Sequence, residues 1–155
     1  SDLGFAMRIA LVDDCLDDLS IMHQFLADAL DTDSVITEFH NGEDFLQHWS
    51  ADTFDLIVLD IYMEQLTGIE TARGIRETDP NVCLVFASTS NEFASESYEV
   101  NACYYLHKPF LKQQVLAMLD RIGQQSHEVS RTVLLPNGKR YFYAALFTQI
   151  TPLTG

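Results

Sequence analysis

Positive charge is scarce in this 155-residue chain: nine lysines and arginines stand against 23 aspartates and glutamates, for a net charge of -14. Nucleic acid and anionic membranes are thereby disfavoured as direct partners of these residues, because both repel an acidic surface. Cysteine is rare and odd in number. Of Cys15, Cys83 and Cys103, the last two sit in apolar runs, so small buried hydrophobes are expected rather than a disulfide frame, which fits a reducing compartment. No stretch of about 18 uninterrupted apolar residues occurs, and no basic start precedes an apolar signal core. A soluble, cytoplasmic protein without membrane association is the expectation. His23, His40, His48, His107 and His127 lack metal-ligand spacing and read as surface or partly buried groups. At this length one ordinary core is possible and two comfortable domains are not.

The acid that is present is unevenly spread. Residues 1–126 hold 22 acids and six bases, whereas residues 127–155 hold one acid and three bases. A main domain over 7–126 and an appendage over 127–155 are expected, with Met7 a candidate native start and Ser1 to Ala6 a short addition before it.

Hydrophobic patterning alternates between two periods. Met7 to Val12 is a short apolar run closed by acids, as expected of a strand buried on both faces. Leu19, Met22, Leu26 and Leu30 then recur at helical spacing, with Asp17, Asp18, Gln24 and Asp28 expected on the opposite, polar face. Further strands are read at Val35 to Phe39, Phe54 to Leu59, Val82 to Ala87 and Cys103 to Leu106. Between them helices are read around Phe45, Leu46 and Trp49, from Gly68 to Thr78, and from Asn91 to Val100; a last one follows Pro109 on Leu111, Val115, Met118 and Ile122, ending near Gln125. Five strand–helix alternations imply a parallel sheet with helices on both faces, because parallel strands need crossover connections. After Ser126 the pattern changes: Asn137-Gly138 between two apolar runs signals a hairpin. Tyr104 and Tyr105 are expected to face opposite sides of their strand.

Polar groups stand where these strands end. Asp13-Asp14 closes the first run, Asp60 the third, Ser88 the fourth, and Lys108-Pro109 follows the fifth. In an open parallel sheet the carboxyl ends of neighbouring strands converge on one crevice. Carboxylates gathered there repel, by roughly 4 kcal/mol for a pair about 4 Å apart at an effective dielectric near 20. A hard divalent cation and one lysine would compensate. Magnesium takes oxygen ligands, so Asp13 and Asp14 suit a metal pocket, Asp60 suits both a ligand and a nucleophile toward phosphorus, and Lys108 suits the added negative charge. The Ser88 hydroxyl offers a hydrogen bond to a phosphoryl oxygen.

In ALVDD at 10–14, LDIYMEQLTG at 59–68, FAS at 86–88 and YYLHKPF at 104–110 the chain resembles the receiver domain of two-component response regulators. The resemblance implies an α/β, flavodoxin-like doubly wound sheet of five parallel strands in the order 2-1-3-4-5. It also implies that Asp60 is the phosphoacceptor, Asp13 and Asp14 bind Mg2+ with the backbone carbonyl of Tyr62, and Lys108 is the motif's lysine, joined to Pro109 by a cis bond. Ser88 and Tyr105 match the switch residues. A sensor histidine kinase is the implied partner, homodimerisation on phosphorylation a possible response, and the protein a phosphoacceptor switch rather than a turnover enzyme. Two departures stand out: Glu64 occupies a place where the family often has proline, and a bulky Tyr62, with Ser90, occupies positions that modulate access of the hydrolytic water.

Asn91-Glu-Phe-Ala94, Val100-Asn-Ala102 and Tyr105 resemble receivers joined to LytTR-type DNA-binding domains, and RTVLLPNGKRYFYAALFTQI at 131–150 resembles the first strands of such a domain. Residues 127–155 are accordingly expected to be a linker and the truncated start of that output domain, with DNA bound only through the parts not present. Two other readings are open. A flavodoxin-like cofactor binder needs a Gly/Ser/Thr-rich loop after the first strand, and here that loop is Asp-Asp-Cys-Leu-Asp-Asp. An aspartyl-phosphate phosphatase usually carries a second acid two residues after its nucleophile, and Asp13 is followed there by Cys15.

Overall fold

The computed structural model describes the backbone of residues 6–130, 132–134, 140–144 and 149–152, and the side chains of residues 6–123. Two compact units divide at Met118 and Leu119. The first is built on five parallel strands, β1 (Arg8–Val12), β2 (Val35–Phe39), β3 (Leu56–Asp60), β4 (Cys83–Ser88) and β5 (Tyr104–His107), in the order β2-β1-β3-β4-β5. Helices α1 (Leu16–Ala29), α2 (Gly42–His48), α3 (Gly68–Thr78), α4 (Ala94–Glu99) and α5 (Lys112–Ser130) alternate with them in sequence. This is the expected order and alternation.

The three central strands explain why apolar runs, rather than alternating patterns, mark them. Every residue of β3 is buried, as are Ile9 to Val12 of β1 and Leu84 to Ser88 of β4, because helices cover both faces. Edge strands β2 and β5 are only partly buried. Ile57, Leu59, Leu84 and Phe86 pack in one cluster with Phe45 of α2 and Ile69, Ala72 and Ile75 of α3. Phe39 meets Phe45 edge-on at 5.1 Å. Truncating a fully buried leucine here, such as Leu59, costs about 2–5 kcal/mol because transfer and cavity costs add.

Helix ends follow their side chains. Asn41 accepts from the Asp44 amide and caps α2, so Asn41-Gly42 serves as a helix start as well as a turn. Thr67 and Glu70 form a reciprocal capping box at the start of α3. Two helices differ from expectation: α4 spans only six residues, starting at Ala94 rather than Asn91, and α5 continues to Ser130 rather than Gln125.

In the second unit, β6 (Thr132–Leu134), β7 (Arg140–Ala144) and β8 (Gln149–Pro152) form an antiparallel sheet in sequence order. The β6–β7 pairing is the expected hairpin; its Asn137-Gly138 turn lies outside the described residues.

Candidate functional site

Register brings the polar strand ends together. Val12 lies beside Leu59, and Asp60 beside Ala87, so Asp13 and Asp60 leave adjacent strands at one level. The ladder persists one step further through Asp13 N–H to Phe39 O (3.0 Å), Ile61 N–H to Ala87 O (3.0 Å) and Lys108 N–H to Ser88 O (2.9 Å). These bonds hold the backbone of Asp13, Ile61 and Lys108 on the sheet rather than on free loops. The Lys108–Pro109 bond is cis. Gly68 starts α3 directly against β3: a Cβ there would collide with the Asp60 carbonyl, so only glycine permits that approach.

Asp13, Asp14 and Asp60 each offer a carboxylate oxygen, all within 4.8 Å of one another. Asp14 is exposed and Asp13 and Asp60 are buried. Lys108 reaches into this cluster, its Nζ 2.8 Å from Asp13 Oδ2 and 3.1 Å from Asp60 Oδ1. The structure therefore joins four residues singled out from sequence. It also adds a fifth: Lys108 Nζ is 2.8 Å from Asp18 Oδ2. The expectation that Asp18 lies on the polar, outward face of α1 is corrected, because its side chain turns over the sheet end and is 25% exposed. A signal was present in the spacing, since a helix separated from a strand by only three residues keeps its first turn at that strand's end.

One lysine shared among several carboxylates leaves Asp60 underpaid in positive charge. Burial, followed by the Asp13 charge, pushes the Asp60 carboxyl up to about 7, and Lys108 only partly opposes this. For Lys108 burial works against its charge, yet hydrogen bonds to Asp13 and Asp18 hold its pKa above the ordinary lysine value. A group of oxygen donors with excess negative charge suits a hard divalent cation.

Above the cluster lie the other expected residues. Ser88 is fully buried at the end of β4, and its Oγ accepts from Ser90 N–H at 3.1 Å. Tyr105 donates to Ser90 O at 2.5 Å and packs against the core cluster. Tyr104 and Tyr105 are both half-buried, so the expected split into core and solvent faces is softened at this edge strand. Tyr62, 46% exposed, donates to Glu92 Oε1 at 2.5 Å and meets Phe93 edge-on at 5.4 Å. Neither Glu92 nor Phe93 stood out in sequence as a partner of Tyr62, because the contact crosses 30 residues. Glu64 N–H approaches Asp14 Oδ2 at 3.4 Å.

The response regulator receiver domain profile matches residues 9–120. The chain belongs to that family. Such receiver domains are phosphoacceptor switches that use an aspartate and Mg2+ and interact with sensor histidine kinases. Similar curated proteins include the sensory transduction protein LytR of Staphylococcus epidermidis, 32% identical over 64% of this chain and 39% of that protein. LytR of Staphylococcus haemolyticus is 27% identical over 84% of this chain and 52% of that one. The chain thus spans about half the length, or less, of these relatives. Vibrio cholerae chemotaxis protein CheY4 shares the receiver fold, with a TM-score of 0.67, 24% identity, and coverage of 76% of this chain and 99% of that one. Among the described residues no helix is long and apolar enough to cross a membrane.

Proposed function

We propose that Asp60 is the phosphoacceptor of this receiver domain and that the chain is the input part of a transcriptional regulator. The observation that carries the reading is Lys108 Nζ bonded to both Asp13 and Asp60 inside a cluster of three carboxylates. Asp13, Asp14, Asp60 and the Tyr62 carbonyl would hold magnesium. When bound, magnesium supplies charge that offsets the carboxylates and orients an incoming phosphoryl group. The Asp60 oxygen attacks phosphorus as the bond to the donor breaks, at nitrogen for a phosphohistidine of the kinase or at oxygen for acetyl phosphate. The leaving group departs with the electron pair. Lys108 then donates to a phosphoryl oxygen, and the Ser88 hydroxyl leaves the Ser90 amide to do the same.

Consequences pass outward through Ser90, whose carbonyl holds Tyr105 and whose amide is held by Ser88. Moving Ser88 toward the phosphoryl group frees both contacts, so Tyr105 turns inward and the face of α4, β5 and α5 is remodelled. Such a switch needs two states only a few kcal/mol apart, with the phosphoryl group binding one better. The relatives named LytR favour residues 127–155 as a linker and the start of a LytTR-type output domain that binds DNA; homodimerisation on phosphorylation belongs to the same reading.

Intact mass spectrometry after acetyl phosphate and Mg2+ treatment tests the assignment. A labile phosphoryl mass gain is expected on the parent and not on Asp60→Asn; no gain, or one that survives the substitution, would sink it. Tyr62 follows the acceptor by two residues with its ring held by Glu92 and Phe93, and its role in this reading is to limit the access of water to the acyl phosphate. Tyr62→Ala is expected to shorten the acyl-phosphate lifetime, and an unchanged lifetime disposes of that role.

A further inference from the structure

An ammonium group has three N–H donors and no acceptor. Those of Lys108 face three carboxylates: Asp13 Oδ2 at 2.8 Å, Asp18 Oδ2 at 2.8 Å and Asp60 Oδ1 at 3.1 Å. Asp13 and Asp60 belong to the gathered cluster, and Asp18 does not. Its side chain is 25% exposed, against 8% for Asp13 and 5% for Asp60. Asp18 therefore stands at the rim, on the first turn of α1, and touches the cluster through Lys108. A lysine stem has four flexible bonds and a point charge that one partner cannot aim. Two partners on different elements, the end of β1 and the start of α1, leave a single N–H direction toward Asp60.

We propose that Asp18 is a positioning residue for phosphoryl transfer: together with Asp13 it holds the Lys108 ammonium so that its remaining N–H meets the phosphoryl group forming on Asp60. The inference rests on Asp60 being the acceptor. As the new P–O bond forms, the N–H that bonds Asp60 Oδ1 passes to a phosphoryl oxygen, while the bonds to Asp13 and Asp18 persist and lysine keeps all its protons. Asp18 then governs the rate of transfer and not the affinity for metal.

The test uses the full chain with acetyl phosphate across a range of Mg2+ concentrations, read by intact mass. Asp18→Asn is expected to lower the rate at saturating Mg2+ by about tenfold, the scale of a misaimed catalytic contact, while half-saturating Mg2+ stays within about twofold. Asp18→Glu, which restores the carboxylate, recovers a large part of the rate. In a Lys108→Ala background the same Asp18→Asn change has less than about a twofold effect, because the two act as a unit. The proposal is overturned if Asp18→Asn leaves the parent rate unchanged, shifts half-saturating Mg2+ as Asp13→Asn does, or keeps its full effect without Lys108. A second readout needs no phosphorylation: the Lys108 ammonium protons are expected to exchange slowly enough to give a 15N-correlated signal in the metal-free parent, and that signal is expected to be lost in Asp18→Asn. If the parent takes no phosphoryl group while this signal behaves so, the acceptor assignment fails and the hold on Lys108 stands. If the signal is indifferent to Asp18, the hold fails whatever Asp60 does.

Discussion

Asp55 precedes the five-residue strand β3 and Asp60 ends it, and their carboxyls are driven in opposite directions. Asp55, before the strand, is half-exposed and bonded by the Arg8 amide (2.8 Å) and by two guanidinium nitrogens of Arg8. Although burial opposes it, these bonds from Arg8 hold its carboxyl below the usual value. Asp60, the last residue of the strand, is buried beside Asp13 and shares one lysine, so its carboxyl is raised to about 7. Identical side chains at the two ends of one strand thus become a settled structural pair and a group in unresolved charge conflict. The difference teaches where reactivity resides: at the strand end where acids outnumber their partners, any added cation or phosphoryl group finds a use.

Removing the shared cation should break the contrast most severely. Lys108→Ala leaves Asp13, Asp18 and Asp60 without their common partner and is expected to cost on the order of 3 kcal/mol in metal-free urea denaturation at pH 7, as for other broken buried pairs. Mg2+ should restore most of it; a metal-independent loss would refute the charge account. Gly68→Ala comes next, because its Cβ must displace the Asp60 carbonyl, with an expected loss of about 1–3 kcal/mol from overpacking. A neutral thermal shift for that variant would mean that α3 moves freely away from β3.

Titration separates the two aspartates with opposite signs. A raised folded pKa means that Asp60 binds its proton more readily in the folded state. Its contribution favours the fold below the unfolded value near 4 and is lost as pH rises toward about 7. Asp60→Asn should therefore stabilise the metal-free protein at pH 8 by about 1–3 kcal/mol and flatten the decline between pH 4 and 8. Unaltered pH dependence in that window would contradict the conflict at Asp60. For Asp55, whose folded pKa is lowered, stability is present above the unfolded value and is lost as pH falls through the folded one. Asp55→Asn should have the smallest effect, under about 1 kcal/mol at pH 7 and smaller still in high salt, since the pair is largely exposed. A larger, salt-insensitive loss would make that end of β3 as critical as the other.

Much of the fold was legible because both patterns are local. The uninterrupted runs at Ile9 to Val12 and Leu56 to Leu59 are what a doubly covered strand requires, and the stripe of Leu19, Met22 and Leu26 is what a one-sided helix requires. Helix ends were less legible: α4 starts at Phe93–Ala94 without a side-chain cap, so no residue announced its boundary. Of the site, Asp13, Asp14, Asp60 and Lys108 could be read from their places at strand ends. Asp18 could not be placed by helical period alone, because period assigns a face and the neighbouring strand end decides what that face meets. The Tyr62–Glu92 contact depends on the course of a loop that no periodicity constrains.

The sequence by itself determined the alternation of strands and helices, the acidic balance and the presence of carboxylates and a lysine at strand ends, because burial acts on each residue through its own hydrophobicity and its near neighbours. Only the tertiary structure decided which acid is satisfied and which is not. Asp55 and Asp60 are the same residue five positions apart, and what distinguishes them is the number of charges that other elements bring within reach.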